Sequence, residues 1–263
     1  PRAMGQWLNS LSKTKCHPMP SSRIPFPEKP SASRTRRFLL VSGVAASLGL
    51  ASLPGVAKDK VVEDATIVIG QSAPFSGPSA QLGTEFNVGA RVYFQMVNDA
   101  GGVHGRKIEL HAKDDAYDPK MTASNTADLL EQDRAVALFG YVGTSTTLAA
   151  LPLAVAAQVP FFAPVTGAEA LRQPFNRVVF NVRASYFDES EYILEQLAVT
   201  GARNIAVFHQ NDAYGKAGLQ AMSRATAKHG LPIVATTAIE RHSTEVAAAA
   251  KALQAAHPDA VAL

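Results

Sequence analysis

The sequence predicts an α/β protein built from two doubly wound lobes, each containing a parallel sheet. From Thr66 onward, short apolar runs of strand length alternate with stretches of helical spacing, and the connections are short. The pattern starts again after residue 185, so we expect a first lobe over residues 58–185 and a second over residues 186–263. The last apolar run stops at Leu263 without a covering helix. Because so small a lobe cannot bury a stable core, we expect the second lobe to be incomplete at its C-terminus.

The first lobe is predicted to contain five strands, because five short apolar runs are bounded by turn-forming residues. These runs are Thr66–Ala73, Lys107–Asp115, Ala135–Phe139, Val159–Pro164 and Val178–Ser185. Three helices are predicted between the first four strands. Glu85–Asn98 has apolar residues at helical spacing, Asp118 with Pro119 forms an N-cap pair that opens a helix to Glu131, and an alanine-rich helix ends near Gln158.

The second lobe is predicted to repeat this alternation. Its predicted helices are Asp188–Val199, Tyr214–His229 and Thr244–His257, and its predicted strands are Asn204–Gln210, Pro232–Glu240 and Asp259–Leu263. In open α/β sheets, ligands bind beyond the carboxyl ends of the strands. Five loops are predicted at that edge, namely Gln71–Gly77, Asp114–Asp118, Tyr141–Thr146, Pro164–Ala168 and His209–Tyr214.

The first 57 residues are not expected to belong to the fold. Residues 1–33 are rich in Pro, Ser and Lys without periodicity, which predicts a disordered extension, with Met19 or a later codon as an alternative start. Residues 34–57 contain a basic run, an apolar stretch and small residues before a predicted cut after Ala57, as in a signal peptide. The alternative, a membrane anchor, needs a longer apolar stretch. We therefore expect export to the periplasm.

The export route stays open on sequence grounds. Thr35 to Leu40, TRRFLL, resembles a twin-arginine signal, which implies export after folding. An ordinary signal peptide also contains adjacent arginines in its basic region.

The charge distribution argues against a nucleic-acid partner. The whole chain has 25 Lys or Arg and 22 Asp or Glu, of which residues 1–57 contain eight basic residues and one acid. Residues 58–263 therefore contain 17 basic and 21 acidic residues, a net charge of −4. A mildly acidic body does not favour a phosphate backbone. Cys16 is the only cysteine, so residues 58–263 hold no disulfide, thiolate metal site or cysteine nucleophile.

Ala135–Leu151 predicts a socket at the start of a helix. A short strand is followed by Gly140 and Gly143, which permit a sharp turn, and by residues 144–147, Thr-Ser-Thr-Thr. Hydroxyl side chains at a helix start accept hydrogen bonds from free backbone N–H groups, which predicts an ordinary N-cap. The same N–H groups and the helix dipole also attract an anion, so a carboxylate or phosphate site is the alternative.

A metal site is poorly supported by the sequence. Asp114, Asp115 and Asp118, with His111 nearby, do not have the spacing of an EF-hand loop. Strand alternation also sends His111 and its neighbours to different faces. An N-cap with solvated acids explains these residues, and we expect neither a metal nor a cofactor.

A catalytic site is also poorly supported. His209, at the carboxyl end of a strand, is the best-placed general base, although a hydrogen-bonded loop histidine is the simpler interpretation. Residues 143–147 lack the second glycine of a nucleophile elbow. Residues 212–215 are interpreted as a turn before a helix, in which Tyr214 could lie over an apolar ligand or donate its hydroxyl.

Six segments together resemble the type I periplasmic binding proteins, and more narrowly the branched-chain amino-acid receptors of ABC importers. They span about Thr66 to Leu219 in the order of that family. The segments are IVIGQSAPFSGPSAQLGTEFNVGARVYF, NDAGGVHGRKIEL, KDDAYDPKMTASNTADLL, GYVGTSTTLAALPLA, VPFFAPVTGAEALR and HQNDAYGKAGLQ. The resemblance implies two lobes joined by a hinge, with a small-molecule ligand held between them.

Carried over by position, the resemblance implies that Thr144 holds the α-carboxylate of the ligand, with Ser145 and Thr146 beside it. Tyr214 matches the tyrosine that the second lobe supplies. Leu82 matches a frequently aromatic position against the ligand side chain.

The resemblance also implies that the loop at Val165, Thr166 and Gly167 contacts the ligand through backbone groups and, often, a hydroxyl. Gly167 stands where a threonine is common. The acidic residue that usually pairs with the ligand ammonium is expected beyond Leu263.

The sequence as a whole therefore predicts an exported substrate-binding protein of an ABC importer. Its ligand is expected to be a small carboxylate-bearing metabolite, with an amino acid as the leading candidate, and its partner is expected to be the importer's membrane permease. One alternative is a ligand-binding sensor domain of a signalling or regulatory system. The other is a hydrolase acting through His209, for which no nucleophile and base pair is visible in the sequence.

Overall fold

The computed structural model describes residues 66–263; the predicted extension, the signal peptide and residues 58–65 lie outside the described residues. Two parallel sheets are present, which confirms the predicted fold class. The first lobe consists of β1 (Ile67–Ala73), α1 (Ala80–Asp99), β2 (Ile108–Asp114), α2 (Pro119–Glu131), β3 (Ala137–Phe139), α3 (Thr144–Ala157), β4 (Phe161–Phe162), a 3₁₀ turn (Glu169–Leu171) and β5 (Val179–Phe180).

The second lobe continues the same alternation. It consists of α4 (Tyr186–Val199), β6 (Ile205–Gln210), α5 (Ala213–His229), β7 (Ile233–Ile239), α6 (Ala247–Ala255) and β8 (Ala260–Ala262). The strand order is β2-β1-β3-β4-β5 in the first sheet and β7-β6-β8 in the second, and every pair is parallel. All strands of a sheet therefore end at one edge, where their following loops gather.

Helices cover both faces of the first sheet. Leu138 and Phe139 are neighbours on β3, so their side chains point to opposite faces. Leu138 is buried in a cluster with Leu129 of α2 and with alanines of α3, whereas the Phe139 ring packs on Phe86 and Phe94 of α1. The sheet is therefore doubly wound.

The second lobe has its own core. Ile205 and Val207 of β6 are buried against Leu194 of α4 and against Met222 and Ala225 of α5. Since these apolar residues come from three consecutive elements, the core forms from local contacts. The carboxyl end of β6 and the start of α5 are thereby held in fixed positions relative to each other.

Most predicted elements are confirmed, but several bounds were wrong. The predicted fifth strand reached Ser185, whereas β5 ends at Phe180, because the Arg172 guanidinium binds the carbonyls of residues 183 and 184 in place of a neighbouring strand. The first helix begins five residues before Glu85, where Gly83 packs so closely on Pro74 that a Cβ would lie 1.9 Å from the proline oxygen.

The last predicted helix was also too long. It starts at Ala247 and not at Thr244, because turns precede it, in which Glu245 N–H donates to Ser243 Oγ and Val246 N–H to the Thr244 carbonyl. Within residues 66–263, no helix combines the length and apolar character needed to cross a membrane.

We expect Phe161→Ala to lower the free energy of unfolding by about 3–5 kcal/mol, because its buried ring would leave a cavity. Phe161 is 0% exposed and lies 4.8 Å from the Tyr141 ring, centroid to centroid. Phe175, which is 83% exposed, is the matched control, and Phe175→Ala should change that free energy by less than about 0.5 kcal/mol. Urea unfolding followed by circular dichroism measures both. Equal effects of the two substitutions would contradict the described core.

Candidate functional site

The site is built on the turn between β3 and α3. Gly140 and Gly143 have φ values of 63° and 97°, so both predicted turn glycines are confirmed. The chain also passes very close to two aromatic rings there. A Cβ at Gly140 would lie 2.5 Å from Phe86, and a Cβ at Gly143 would lie 2.4 Å from Tyr117. Glycine is therefore required at both positions for conformation and for space.

The predicted hydroxyl cap of α3 is wrong. The N-cap residue is Gly143, and no side chain caps the helix. Thr146 donates its hydroxyl back to the Val142 carbonyl, and Thr147 donates to the Gly143 carbonyl at 2.6 Å, a bond that threonine readily makes near a helix start. The first-turn N–H groups, which have no partner inside the helix, therefore keep their affinity for an anion.

Two predicted ligand hydroxyls come together beside this helix terminus. Thr144 Oγ1 lies 2.6 Å from Thr166 Oγ1, and both side chains are buried. Thr166 Oγ1 is also 3.2 Å from the Tyr186 hydroxyl and accepts the N–H of Ala168. The predicted loops around Tyr141–Thr146 and Pro164–Ala168 therefore form one surface.

Backbone contacts join these two loops. Val165 donates its N–H to the Tyr141 carbonyl at 2.7 Å, and its carbonyl accepts the Gly143 N–H at 3.4 Å. Gly167 packs against Tyr186, where a Cβ would lie 2.5 Å from the ring. A threonine at Gly167 would therefore collide with Tyr186, which supplies a phenol to this loop instead.

Tyr214 lies across from this surface, on the first turn of α5, and its ring centroid is 5.9 Å from that of Tyr186. Burial raises the pKa of the Tyr214 phenol. Ser145, beside Thr144, donates to Asp212 and not to a group of its own lobe. Leu82 lies in the first turn of α1 with half of its side chain exposed. Contact of these residues with a ligand stays a prediction.

Asp212 is the principal residue that sequence reasoning missed. It caps α5, as the predicted turn implied, with Oδ1 accepting the Gly215 N–H at 3.1 Å. Its Oδ2 accepts from Ser145 at 2.7 Å, from Gln210 at 2.6 Å and from Arg241. Burial acts to raise the pKa of Asp212, but these hydrogen bonds and the Arg241 charge hold it below its usual range. Nothing in the local sequence marks the contact with Ser145, which is 67 residues away.

The acidic run after β2 orders the loop that carries Tyr117. Ala116 and Tyr117 have φ values of 47° and 65°, a conformation that non-glycine residues adopt at a cost. Asp114 accepts the Ala116 N–H and Asp115 accepts the Tyr117 N–H, both at 2.9 Å. The side-chain acceptors therefore hold a strained loop, and burial with the Asp212 charge raises the pKa of Tyr117 to about 12.

Asp118 caps α2, as predicted, but the description of these acids as solvated is wrong for Asp115. Asp115 is fully buried, because its Oδ2 accepts the hydroxyls of Ser72 and Thr122 at 2.8 and 3.0 Å. Burial still raises the pKa of this carboxyl.

Two histidines singled out from the sequence lie apart from these acids. His111 contacts Asp133 and Glu109, and His209 Nδ1 lies 2.9 Å from the Gln210 carbonyl. In the described part of the chain, no cluster of three or more His, Cys, Asp or Glu side chains could hold a metal ion.

Comparisons with known proteins agree with the predicted fold class and resemblance. A family model described as "Periplasmic binding protein" matches residues 66–263. A solved substrate-binding periplasmic protein from Ralstonia solanacearum is 34% identical, with a TM-score of 0.70, over 74% of this chain and 55% of that one. A possible leucine/isoleucine/valine-binding protein from Rhodopirellula baltica is 31% identical, with a TM-score of 0.71, over 77% and 57%.

A curated relative gives the same result. The amino acid binding protein of Pseudomonas aeruginosa is 28% identical over 183 residues, which cover 68% of this chain and 47% of that protein. The chain spans about half the length of the curated relatives it matches.

We expect Gly143→Ala to destabilise the protein more than Gly105→Ala. Both glycines have positive φ, 97° and 80°, so both substitutions carry a conformational cost, and at Gly143, where ψ is 152°, the backbone lies in a region that is essentially restricted to glycine. Only at Gly143 would the new Cβ also meet Tyr117, whereas nothing lies within 4 Å at Gly105. The free energy of unfolding, measured with urea, should show this difference, and Tyr117→Ala should recover part of it. Equal losses at the two glycines would show that Tyr117 does not pack on this turn.

Proposed function

The chain belongs to the periplasmic binding protein family, and from this premise we propose that it is the substrate-binding protein of an ABC importer. It captures a small carboxylate-bearing metabolite between its two lobes and delivers it to a membrane permease. Membership in the family implies a periplasmic or extracellular location. We assign export to the predicted signal peptide at residues 34–57.

The uncapped start of α3 carries this proposal. Its first-turn N–H groups and the positive end of the helix dipole face the side of the sheet where the strand-end loops meet. Thr144 and Thr166 add two hydroxyls within 2.6 Å of each other. A carboxylate accepts hydrogen bonds from N–H and O–H donors of this kind, and the charge-assisted bonds that result are strong.

Three tyrosines favour an organic ligand over an inorganic anion. The hydroxyl of Tyr186 reaches Thr166, the ring of Tyr214 contacts Tyr186, and the ring of Tyr117 packs on Gly143. Tyrosine offers an apolar face and one polar atom, which suits the body of a metabolite whose carboxylate sits at the helix terminus. The names of the relatives make an amino acid the first ligand to test.

Binding and not catalysis is the activity that these residues support. His209, the best-placed base, contacts a backbone carbonyl, and Ser145 donates its hydroxyl to a carboxylate. The pKa of Asp212 lies below its usual range, so this carboxylate is a weak base for activating the Ser145 hydroxyl.

We expect the mature protein to be stabilised in a thermal-shift screen by an amino acid or another small carboxylic acid, and much less by the matching amide. For a ligand found in this way, Thr144→Val should raise Kd by at least about ten-fold in calorimetry, because a buried hydrogen bond to a charged group is worth roughly 1.5–3 kcal/mol. Thr244, which is exposed, provides the control Thr244→Val, with unchanged Kd. Stabilisation by no member of the screen, or equal Kd for Thr144→Val and wild type, would contradict the proposal.

A further inference from the structure

Polar side chains tie the two lobes together beside the predicted ligand contacts, and one of these contacts, Ser145, is itself part of the connection. Arg241, which follows β7, donates through Nη1 to the Tyr117 carbonyl of the first lobe at 2.6 Å and through Nη2 to Asp212 Oδ2. Ser145 of the first lobe donates to the same Oδ2 at 2.7 Å. One carboxylate and one guanidinium of the second lobe therefore bind two separate loops of the first.

The first-lobe end of this connection is rigid. The Tyr117 N–H is held by Asp115 at 2.9 Å, and the Tyr117 ring packs against the turn at Gly143. On the second-lobe side, the Arg241 guanidinium carbon lies 5.0 Å from the centroid of the same ring, within the range of a cation–π interaction. The carbonyl that accepts from Arg241 is thus fixed in place.

The charges in this connection are poorly screened. The Asp212 and Arg241 side chains are only 11% and 18% exposed, so removal of one partner leaves the other charge buried without compensation. The bonds from Arg241 to Tyr117 and from Ser145 to Asp212 exist only while the lobes are in contact. These two hydrogen bonds therefore stabilise only the closed arrangement of the lobes.

We propose that Arg241 and Asp212 form an interlobe clasp, a pair of positioning residues that sets the balance between open and closed lobes and thereby the affinity for ligand. The effect on affinity rests on the proposed function, whereas the effect on closure does not. A ligand that binds only one conformation shows an apparent Kd equal to its intrinsic Kd divided by the fraction of the protein in that conformation. Loss of the clasp therefore raises Kd without removing a ligand contact.

Closure is measured in the ligand-free protein by pulsed electron paramagnetic resonance. In the mature protein, from which the predicted cut after Ala57 removes Cys16, spin labels at Lys120→Cys and Lys216→Cys place one probe at the exposed start of α2 and one at the exposed start of α5. Arg241→Met should shift the distance distribution to longer values, and Arg241→Lys, which keeps the charge, should give an intermediate shift. Ser145→Ala, a smaller change that removes the other tie, should shift it in the same direction.

Arg224→Met is the matched control, because Arg224 lies over the Phe187 ring, 4.5 Å from its centroid, within the second lobe. It should leave the distances unchanged. If Arg241→Met and Ser145→Ala both give the wild-type distribution, the clasp does not exist.

Affinity is tested separately with a ligand from the thermal-shift screen. If the closed population falls ten-fold in Arg241→Met, Kd should rise about ten-fold, while Arg224→Met keeps the wild-type Kd. Longer distances with an unchanged Kd would overturn the role in affinity. If the screen yields no ligand, the proposed function fails, and the distance measurement alone still decides whether the clasp controls closure.

Discussion

The rest of the site depends on one unsatisfied helix terminus. The first four N–H groups of an α-helix have no partner within the helix, and the N-cap residue of α3 is Gly143, which has no side chain to supply one. The neighbouring threonine hydroxyls point back to carbonyls of the preceding turn. The protein therefore keeps a cluster of donors and a positive dipole end at the sheet edge where the two lobes meet, and an anionic ligand would satisfy both.

The surrounding residues hold this terminus in place. Gly143 admits the Tyr117 ring, and the Tyr117 loop is held by the carboxylates of Asp114 and Asp115. The same loop accepts a hydrogen bond from Arg241 of the second lobe. Acidic residues that resemble a metal cluster in the sequence thus accept hydrogen bonds from backbone N–H groups through their carboxylates. The residues that shape the binding surface and the residues that join the two lobes therefore belong to one hydrogen-bond network.

Sequence reasoning succeeded where the determinants are local. The Asp118–Pro119 pair predicts the start of α2 because the cap and the proline act within one turn. It failed at α3, where threonines suggest a cap but donate in the opposite direction. It also missed Asp212 and Arg241, because their partners lie 67 and 124 residues away and only the packed lobes bring them together. The predicted Thr144 and Thr166 meet as expected, since both follow neighbouring parallel strands.

The most direct test of the central claim is an amide ¹⁵N NMR titration of the mature protein with the carboxylate that binds best. The account predicts that the largest amide shifts occur at Thr144, Ser145 and Thr146, and that the matching uncharged amide ligand produces much smaller shifts at these residues. Saturable binding that leaves these three amides unmoved would contradict it.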